Sequence, residues 1–432
     1  MAKEVKLPDK TSIPANWSWI DMGMLTIIKS GYPFNSKQFS YDPENRQPLI
    51  RIRDVVRGFT ETFTDEACSD EFIIRQGEIL IGMDGDFNVN RWRSDVALLN
   101  QRVCQIESSS ELLLSDFLYY YLPIPLKLIN EATPSVTVKH LSTKTLNKTP
   151  FPLPPLAEQR RIVACIESLF EKLEYARELV QTALDSFETR KAAILHKAFT
   201  GELTAQWRAK HGVGMNSWEE MPFDKMCLSI YDGDHMPPPK KAEGIPFIVI
   251  SNINQGYISL ENTRFVPSDY YKSLSETRIP KRGDVLYSIV GSFGIPALVD
   301  IDEPFCFQRH IALFRPNSTV LNSKALWYIL QTQEIYNLAD NLATGTAQRT
   351  VPIRGLRKML FMFPSLPEQQ EIVRILDSLL EKEQKAKEQL EPVLDQIDLM
   401  KKSILARAFR GELGTNDPSE ESALGLLEEI LK

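Results

Sequence analysis

The sequence has little of what catalytic and metal sites are usually built from. Five cysteines and five histidines are spread through 432 residues. Cys68, Cys104, Cys165, Cys227 and Cys306 stand apart with no CxxC pair. That spacing argues against structural zinc and suits a reducing, cytoplasmic setting. His140, His196, His211, His235 and His310 are equally scattered, so no metal cluster is expected. Long apolar runs are missing as well. None nears the ~20 residues that span a bilayer, and the leading MAKEVKLPDK lacks the apolar core of a signal peptide. No membrane partner is expected.

Catalytic signatures are absent too. There is no GxxxxGK[ST] phosphate loop, no GxGxxG after a strand, no GxSxG elbow and no HExxH pair. An NPPY or DPPY stretch, which a self-sufficient methyltransferase would need, does not occur. Asp84-x-Asp86-x-Asn88 has the opening of a calcium loop, with Asp95 at the twelfth position. Its sixth position is Val89 rather than glycine, and Arg91 and Arg93 fall inside it. The expectation is a chain with no catalytic residues, no metal and no cofactor.

An excess of basic residues is also lacking: the formal net charge is −7. The acidity is concentrated in Glu412 to Lys432, which carries six acids against one lysine. A partner such as DNA is therefore not excluded, but any basic surface must be local. The tail itself reads as a solvated or partner-binding appendage.

What the sequence does have is an internal repeat. Phe151 to Thr204 and Phe361 to Gly414 align without a gap at an offset of 210, with 23 of 54 positions identical. Each copy enters through prolines to Glu-Gln (Glu158-Gln159, Glu368-Gln369) and leaves through Ala-Phe-x-Gly-Glu-Leu. Apolar residues recur at alternating steps of four and three from Ile162 to Phe187 and from Ile372 to Ile404, interrupted by Glu383; in the first copy the seam then runs on through Arg190 and Ile194. This spacing predicts a long supercoiled helix in each copy, roughly 60 Å long at ~1.5 Å per residue. Ser365 with Glu368 fits a capping box, and Gly201 and Gly411 stand where the helices should stop. Pro392 should kink the second helix or free the Glu388 carbonyl.

The intervening segments repeat more loosely. Trp19 answers Trp218, PLIRI at Pro48 answers PFIVI at Pro246, and Gln101-Arg102 answers Gln308-Arg309. Strands are predicted at Gln47–Ile52, Glu78–Ile81, Asp95–Asn100 and Arg102–Glu107, with a short helix at Ser115–Leu122. The fold class is therefore α+β. Two mixed α/β domains (1–150 and 205–360) are separated and joined by two long antiparallel coiled-coil helices (151–204 and 361–414), in a pseudo-two-fold repeat with an acidic tail (415–432).

Candidate binding residues lie in polar loops at matching places. In the first domain they are Asn88, Asn90, Arg91 and Arg93, with Trp92 beside them to pack on sugar or base, then Gln101 and Arg102, and Ser135, Thr137, Lys139 and His140. In the second they are Asp232, His235, Lys240 and Lys241, then Ser292, Phe293, Gln308 and Arg309, and Thr346, Gln348 and Arg349. Arg and Asn can pair with guanine and adenine edges, and hydroxyls and cations suit phosphates. A solvated surface loop would carry many of the same residues, and recurrence in both domains favours the binding reading.

With its PLPPLAEQRRIV and FPSLPEQQEIV lead-ins, its AFTGELT and AFRGELG exits and its alternating layout, the chain resembles the DNA-specificity subunit of a Type I restriction-modification system along essentially its whole length. The resemblance implies that each domain is a target-recognition domain reading one half of a bipartite, asymmetric site in double-stranded DNA. It implies that the helices form the antiparallel coiled coil that spaces the domains and docks two methyltransferase subunits, with motor-nuclease subunits completing the restricting complex. Such a subunit is not itself an enzyme. Pro392 and the acidic extension after Leu413 depart from that pattern. The rival from another class is an assembly scaffold whose duplicated domains bind something other than DNA. Salt dependence of binding to random duplex would separate the two.

Overall fold

A computed structural model describes residues 13–133, 139–235, 238–254, 256–346 and 348–425. The chain divides into two compact units: the described residues up to Leu179 with those from Val393 onward, and Val180–Pro392. Among the described residues no helix is long and apolar enough to cross a membrane.

The two units repeat one plan. In the first, Ser18–Asp21 pairs antiparallel with Pro150–Leu153. A four-stranded antiparallel sheet follows in the order Thr26–Ser30, Val103–Ser108, Ile79–Gly82, Val89–Arg91. A second sheet orders Phe63–Thr64, Gln47–Ile50, Ala97–Leu99, Ile73–Ile74, and its central pair runs parallel. In the second unit Glu219–Pro222 pairs with Leu360–Phe363. Its four-stranded sheet orders Cys227–Asp232, Ile311–Pro316, Val285–Ser288, Pro296–Leu298. Its smaller sheet orders Arg264–Val266, Ile245–Ile248, Cys306–Phe307, and again the last two strands run parallel. The central strands Ile79–Gly82 and Val285–Ser288 are buried at every position, which is why they read as short continuous apolar runs.

Two local expectations change. The predicted strand Gln47–Ile52 stops at Ile50 and turns into a short helix at Ile52–Arg57. The buried Asp54 carboxylate accepts the Arg51 amide at 2.8 Å and the Thr60 hydroxyl at 3.0 Å, which starts a helical turn where apolar patterning alone continues the strand. The tryptophan match also moves. Ser18 sits opposite Leu153 as Glu219 sits opposite Phe363, so Trp17, not Trp19, is the counterpart of Trp218.

The long helices span Leu156–Phe199 and Leu366–Ala408. The second runs through Pro392, which leaves the Glu388 carbonyl without its usual amide donor. Gly201 and Gly411 end the helices with φ of +84° and +73°, a conformation that disfavours any Cβ. Within the first unit Glu174 pairs with Lys401 and Arg177 with Asp398, so the two helix segments there run antiparallel. Within the second, the two polar residues interrupting the apolar seams meet each other: Arg190 Nε lies 2.8 Å from Glu383 and its guanidinium covers Phe187.

Both Glu-Gln motifs are fully buried. The Gln159 side chain accepts from the Leu114 amide at 2.9 Å and donates to the carbonyls of Leu112 and Pro154 at 2.7 and 3.1 Å. Gln369 does the same with the Asn322 amide and the carbonyls of Val320 and Pro364, at 2.8 to 2.9 Å. The glutamates hold the preceding domain strand: Trp17 Nε1 donates to Glu158 at 2.7 Å and Trp218 Nε1 to Glu368 at 2.9 Å. Glu368 therefore does not close a capping box with Ser365; its other oxygen accepts from Thr204 at 2.7 Å and from Arg208.

The acidic tail is also corrected as far as Gly425. Asn416 donates to Glu158 at 2.8 Å, and Arg161 grips both oxygens of Glu420 at 2.8 and 2.9 Å. Ala423 is buried in the first unit's core. The tail thus packs on Glu158 where Thr204 and Arg208 pack on Glu368, so its described part is no free appendage.

The partners of the two carboxylates differ in charge. Glu368 faces a guanidinium, whereas one oxygen of Glu158 has no hydrogen-bond partner. Burial pushes the Glu158 carboxyl above its ordinary value, against the Trp17 and Asn416 hydrogen bonds. The stabilisation from a raised carboxyl is fully present below its unfolded value and is lost as pH rises through the folded value. At neutral pH Glu158→Gln is therefore expected to be neutral or stabilising, with no advantage once the medium is acidic enough to protonate Glu158 in both states. Glu368→Gln strands the buried charge of Arg208 and should cost about 3–5 kcal/mol. Urea denaturation of the full chain at neutral and acidic pH checks both; equal losses would contradict the assignment.

Candidate nucleic-acid interface

Each unit gathers polar loops at one end of its four-stranded sheet, and three backbone hydrogen bonds do this in both. Met83 N donates to Arg102 O at 2.9 Å, as Ile289 N does to His310 O. Leu141 N donates to Met83 O at 2.7 Å, and Val351 N to Ile289 O at 2.8 Å. Gly85 N donates to Lys139 O at 3.1 Å, and Gly291 N to Arg349 O at 2.9 Å. The same frame corrects the expected match of Gln101-Arg102 with Gln308-Arg309 by one residue. Asn100 bridges Tyr32 as Gln308 bridges Asp234, so Gln101 corresponds to Arg309 and Arg102 to His310.

In the first unit this frame brings Asn88, Gln101, Arg102, Lys139 and His140 together. Asp84 accepts from Arg102 Nη1 at 2.8 Å and lies 2.8 Å from His140 Nδ1. Lys139 Nζ donates to both the backbone and the side-chain oxygen of Asn130 at 2.8 Å. Asn88 and Gln101 are exposed. Ser135 and Thr137 lie outside the described residues.

The other first-domain candidates are placed elsewhere. Arg91 sits opposite Ile79, three residues from the turn end of the strand, or ~10 Å. Its guanidinium is taken by the Gly77 carbonyl at 2.8 Å, by Asp116 and by the face of Tyr119. Asn90 is held by the Val56 carbonyl at 3.1 Å and the Tyr119 hydroxyl at 3.4 Å. Arg93 is exposed beside Gly58, with its amide bonded to the Gly58 carbonyl. Trp92, expected to pack on sugar or base, is instead a core residue at 1% exposure, with its Nε1 donating to Asp95 O at 2.7 Å. It lies just past the strand Val89–Arg91, held by backbone bonds from its amide to Glu78 O at 2.9 Å and from Gly77 N to its carbonyl at 2.8 Å.

In the second unit the candidates fall into two groups, one around Gln308 and one around Phe293. Asp232 lies 2.9 Å from His235 Nε2, and its carbonyl takes Arg278 Nε at 3.0 Å. Gln308 Nε2 is 2.7 Å from His310 Nδ1, and burial, with the neighbouring charge of Arg309, lowers the His310 imidazole below its ordinary value. His310 is accordingly neutral at pH 7. Lys240, Arg309 and Gln308 line a cleft of about 330 Å³ with Phe247, Pro239 and Arg264. Lys240 and Lys241 are exposed and form no ion pair among the described residues. Phe293 stacks on Tyr336 with centroids 5.7 Å apart and lies under Arg349, which is held by Asp340. Ser292, Thr346 and Gln348 are exposed around them.

Several residues of these sites were not among the candidates: Asp84, which the sequence offered only as the start of a calcium loop, and Asn130, Arg278, Tyr336 and Asp340. One signal was available. Asn130 with Lys139 and Asp340 with Arg349 are each nine residues apart and keep the helix offset of 210. Gly31 and Gly233 were also missed. A Cβ at either would lie 2.2–2.3 Å from a carbonyl oxygen of the neighbouring strand. Among the described residues no group of histidine, cysteine and carboxylate could hold a metal ion. Chemically the sites present cations, amides and hydroxyls at a sheet end, a set suited to phosphates and base edges.

Comparison with known proteins agrees with this layout. The Type I restriction modification DNA specificity domain matches twice, over residues 16–181 and 229–392. The Type I restriction enzyme EcoBI specificity subunit of Escherichia coli is 30% identical over 97% of this chain and 92% of its own length. The MjaVIII specificity subunit of Methanocaldococcus jannaschii is 23% identical over 88% of this chain and 90% of its own. Among solved structures, the HsdS subunit from Thermoanaerobacter tengcongensis shares the fold with a TM-score of 0.60 and 20% identity, covering 93% of this chain and 98% of that one. A chain from a structure of the type I R-M system does so with a TM-score of 0.67 at 20% identity, covering 93% and 99%. With the specificity domain matched in both halves and a relative 30% identical end to end, this chain belongs to the family of Type I restriction-modification DNA-specificity subunits.

Proposed function

We propose that the chain is the non-catalytic DNA reader of its complex, with recognition domains 1–150 and 205–360 each reading one half of a bipartite, asymmetric site. The segments 151–204 and 361–414 dock two methyltransferase subunits, and motor-nuclease subunits join them. One observation carries the reading. The same three backbone bonds build the same loop frame in both units, and different side chains fill it: Arg102 against His310, Lys139 against Arg349. A shared frame with unlike donors suits two unlike half-sites on one duplex. The relatives named as specificity subunits support the same reading over a scaffold that binds no DNA.

Expression of the full chain with its methyltransferase partner, followed by genome-wide mapping of methylated adenines, is expected to return one split site with two different halves. Methyl transfer by the purified chain alone, or methylation without a split site, would overturn the proposal.

Lys240 and Lys241 supply a second test. Changing both to Ala is expected to weaken binding to all duplexes alike and to flatten the plot of log affinity against log salt by about 0.9 per lost phosphate contact. An unchanged slope would remove these lysines from the interface.

A further inference from the structure

We propose that Asp84 is a positioning residue that holds one edge of the Arg102 guanidinium and so presents the other edge to a guanine in the half-site met by the first unit. The inference rests on the DNA-reading function proposed above.

The geometry is built from both sides. Backbone bonds fix Arg102 and the residue before Asp84, Met83 N to Arg102 O at 2.9 Å and Leu141 N to Met83 O at 2.7 Å, and Asp84 itself bridges His140. The Asp84 side chain is only 15% exposed, whereas that of Arg102 is 58% exposed. Asp84 Oδ2 accepts from Arg102 Nη1 and its Oδ1 is engaged by His140, so both carboxylate oxygens are occupied and the Asp84 charge is offset by the guanidinium it holds. The Nε–Nη2 edge of Arg102 makes no hydrogen bond among the described residues, while Nη1 is anchored. A planar guanidinium held at one corner offers two parallel N–H donors from the opposite edge, and guanine O6 and N7 are the base-edge acceptors that match them. Anchoring also removes rotamers that an exposed arginine would otherwise lose on binding.

The second unit lacks the device. Met83 corresponds to Ile289, so Asp84 corresponds to Val290, and Arg102 corresponds to His310, which leans on Gln308. The dependence on Asp84 should therefore be confined to one half-site.

The experiment uses the full chain with its methyltransferase partner and reads methylated-adenine maps, together with affinities for duplexes varied one base pair at a time. Wild type is expected to require a guanine at one position of one half-site. Arg102→Ala should lose roughly ten- to a hundredfold of the discrimination there. Asp84→Ala should lose about tenfold at the same position with the other half-site unchanged, and Asp84→Asn, which keeps one acceptor, should recover part of it. Arg102→Lys should not recover the discrimination, because an ammonium lacks the fork. Adding Asp84→Ala to Arg102→Ala should cost nothing further, an outcome that a merely structural role for Asp84 would not produce. Melting curves show whether each variant folds, and Asp84→Asn stands in if Asp84→Ala does not. Arg102→Ala weakening all sequences alike would make it a phosphate contact and overturn the inference, as would additive losses or relaxation of both halves. A wild type without a split site would sink the DNA-reading proposal itself, whereas a split site indifferent to Asp84 and Arg102 would sink only this one.

Discussion

The structure depends on a carboxylate taken out of water at the start of each long helix. An ionised glutamate cannot be buried without donors, because the cost of desolvation is several kcal/mol. Glu368 meets that requirement in full, through the Trp218 indole, Thr204 and Arg208, whereas Glu158 meets it on one oxygen only, through the Trp17 indole and Asn416; each tryptophan immediately precedes the strand that opens its domain. One side chain thus ties three distant stretches of sequence together. The neighbouring glutamine supplies partners to the Leu112 and Pro154 carbonyls and to the Leu114 amide, backbone groups outside the long helix that would otherwise be buried unpaired. Swapping the order of these two residues would place the charge where only neutral backbone groups wait for it.

The two tethers are not equivalent, and the difference shows how a duplicated chain diverges. Glu368 is paired with Arg208, which is itself bonded to the Gly201 carbonyl at 2.6 Å at the end of the preceding helix. Glu158 receives only a neutral amide from Asn416, and the nearby arginine, Arg161, is spent on Glu420. The tail's acidity is therefore partly consumed inside the first unit. A buried pair is weak evidence for net stability, but removing one member of it is costly.

The recognition ends obey the opposite logic. Backbone bonds there are shared by the two units, and the side chains are not. Position 102 is an anchored guanidinium and its counterpart a neutral imidazole. Position 139 is a lysine gripped by Asn130 and its counterpart an arginine gripped by Asp340. In the helices, the polar interruptions at Arg190 and Glu383 look like defects when each seam is read alone. They are complementary once the segments meet.

The sequence by itself determined the repeat, the two long helices, their glycine stops, and the short strand at Ile79. Each of these is local: a periodicity, a dihedral preference or an apolar run writes itself into consecutive residues. It also singled out the loops, because polar residues recur between strands in both halves. Only the tertiary structure decided which members of those loops lie together. It moved Arg91 and Trp92 out of the cluster, one into an ion pair with Asp116 and the other into the core. It brought in Asp84, and it shifted the match of Arg102 from Arg309 to His310. It also turned the tail from a free segment into a packed one. These outcomes depend on hydrogen bonds between residues tens to hundreds of positions apart. Such bonds are set by the register between strands and by the need of every buried charge to find a donor, and neither leaves a pattern in neighbouring residues.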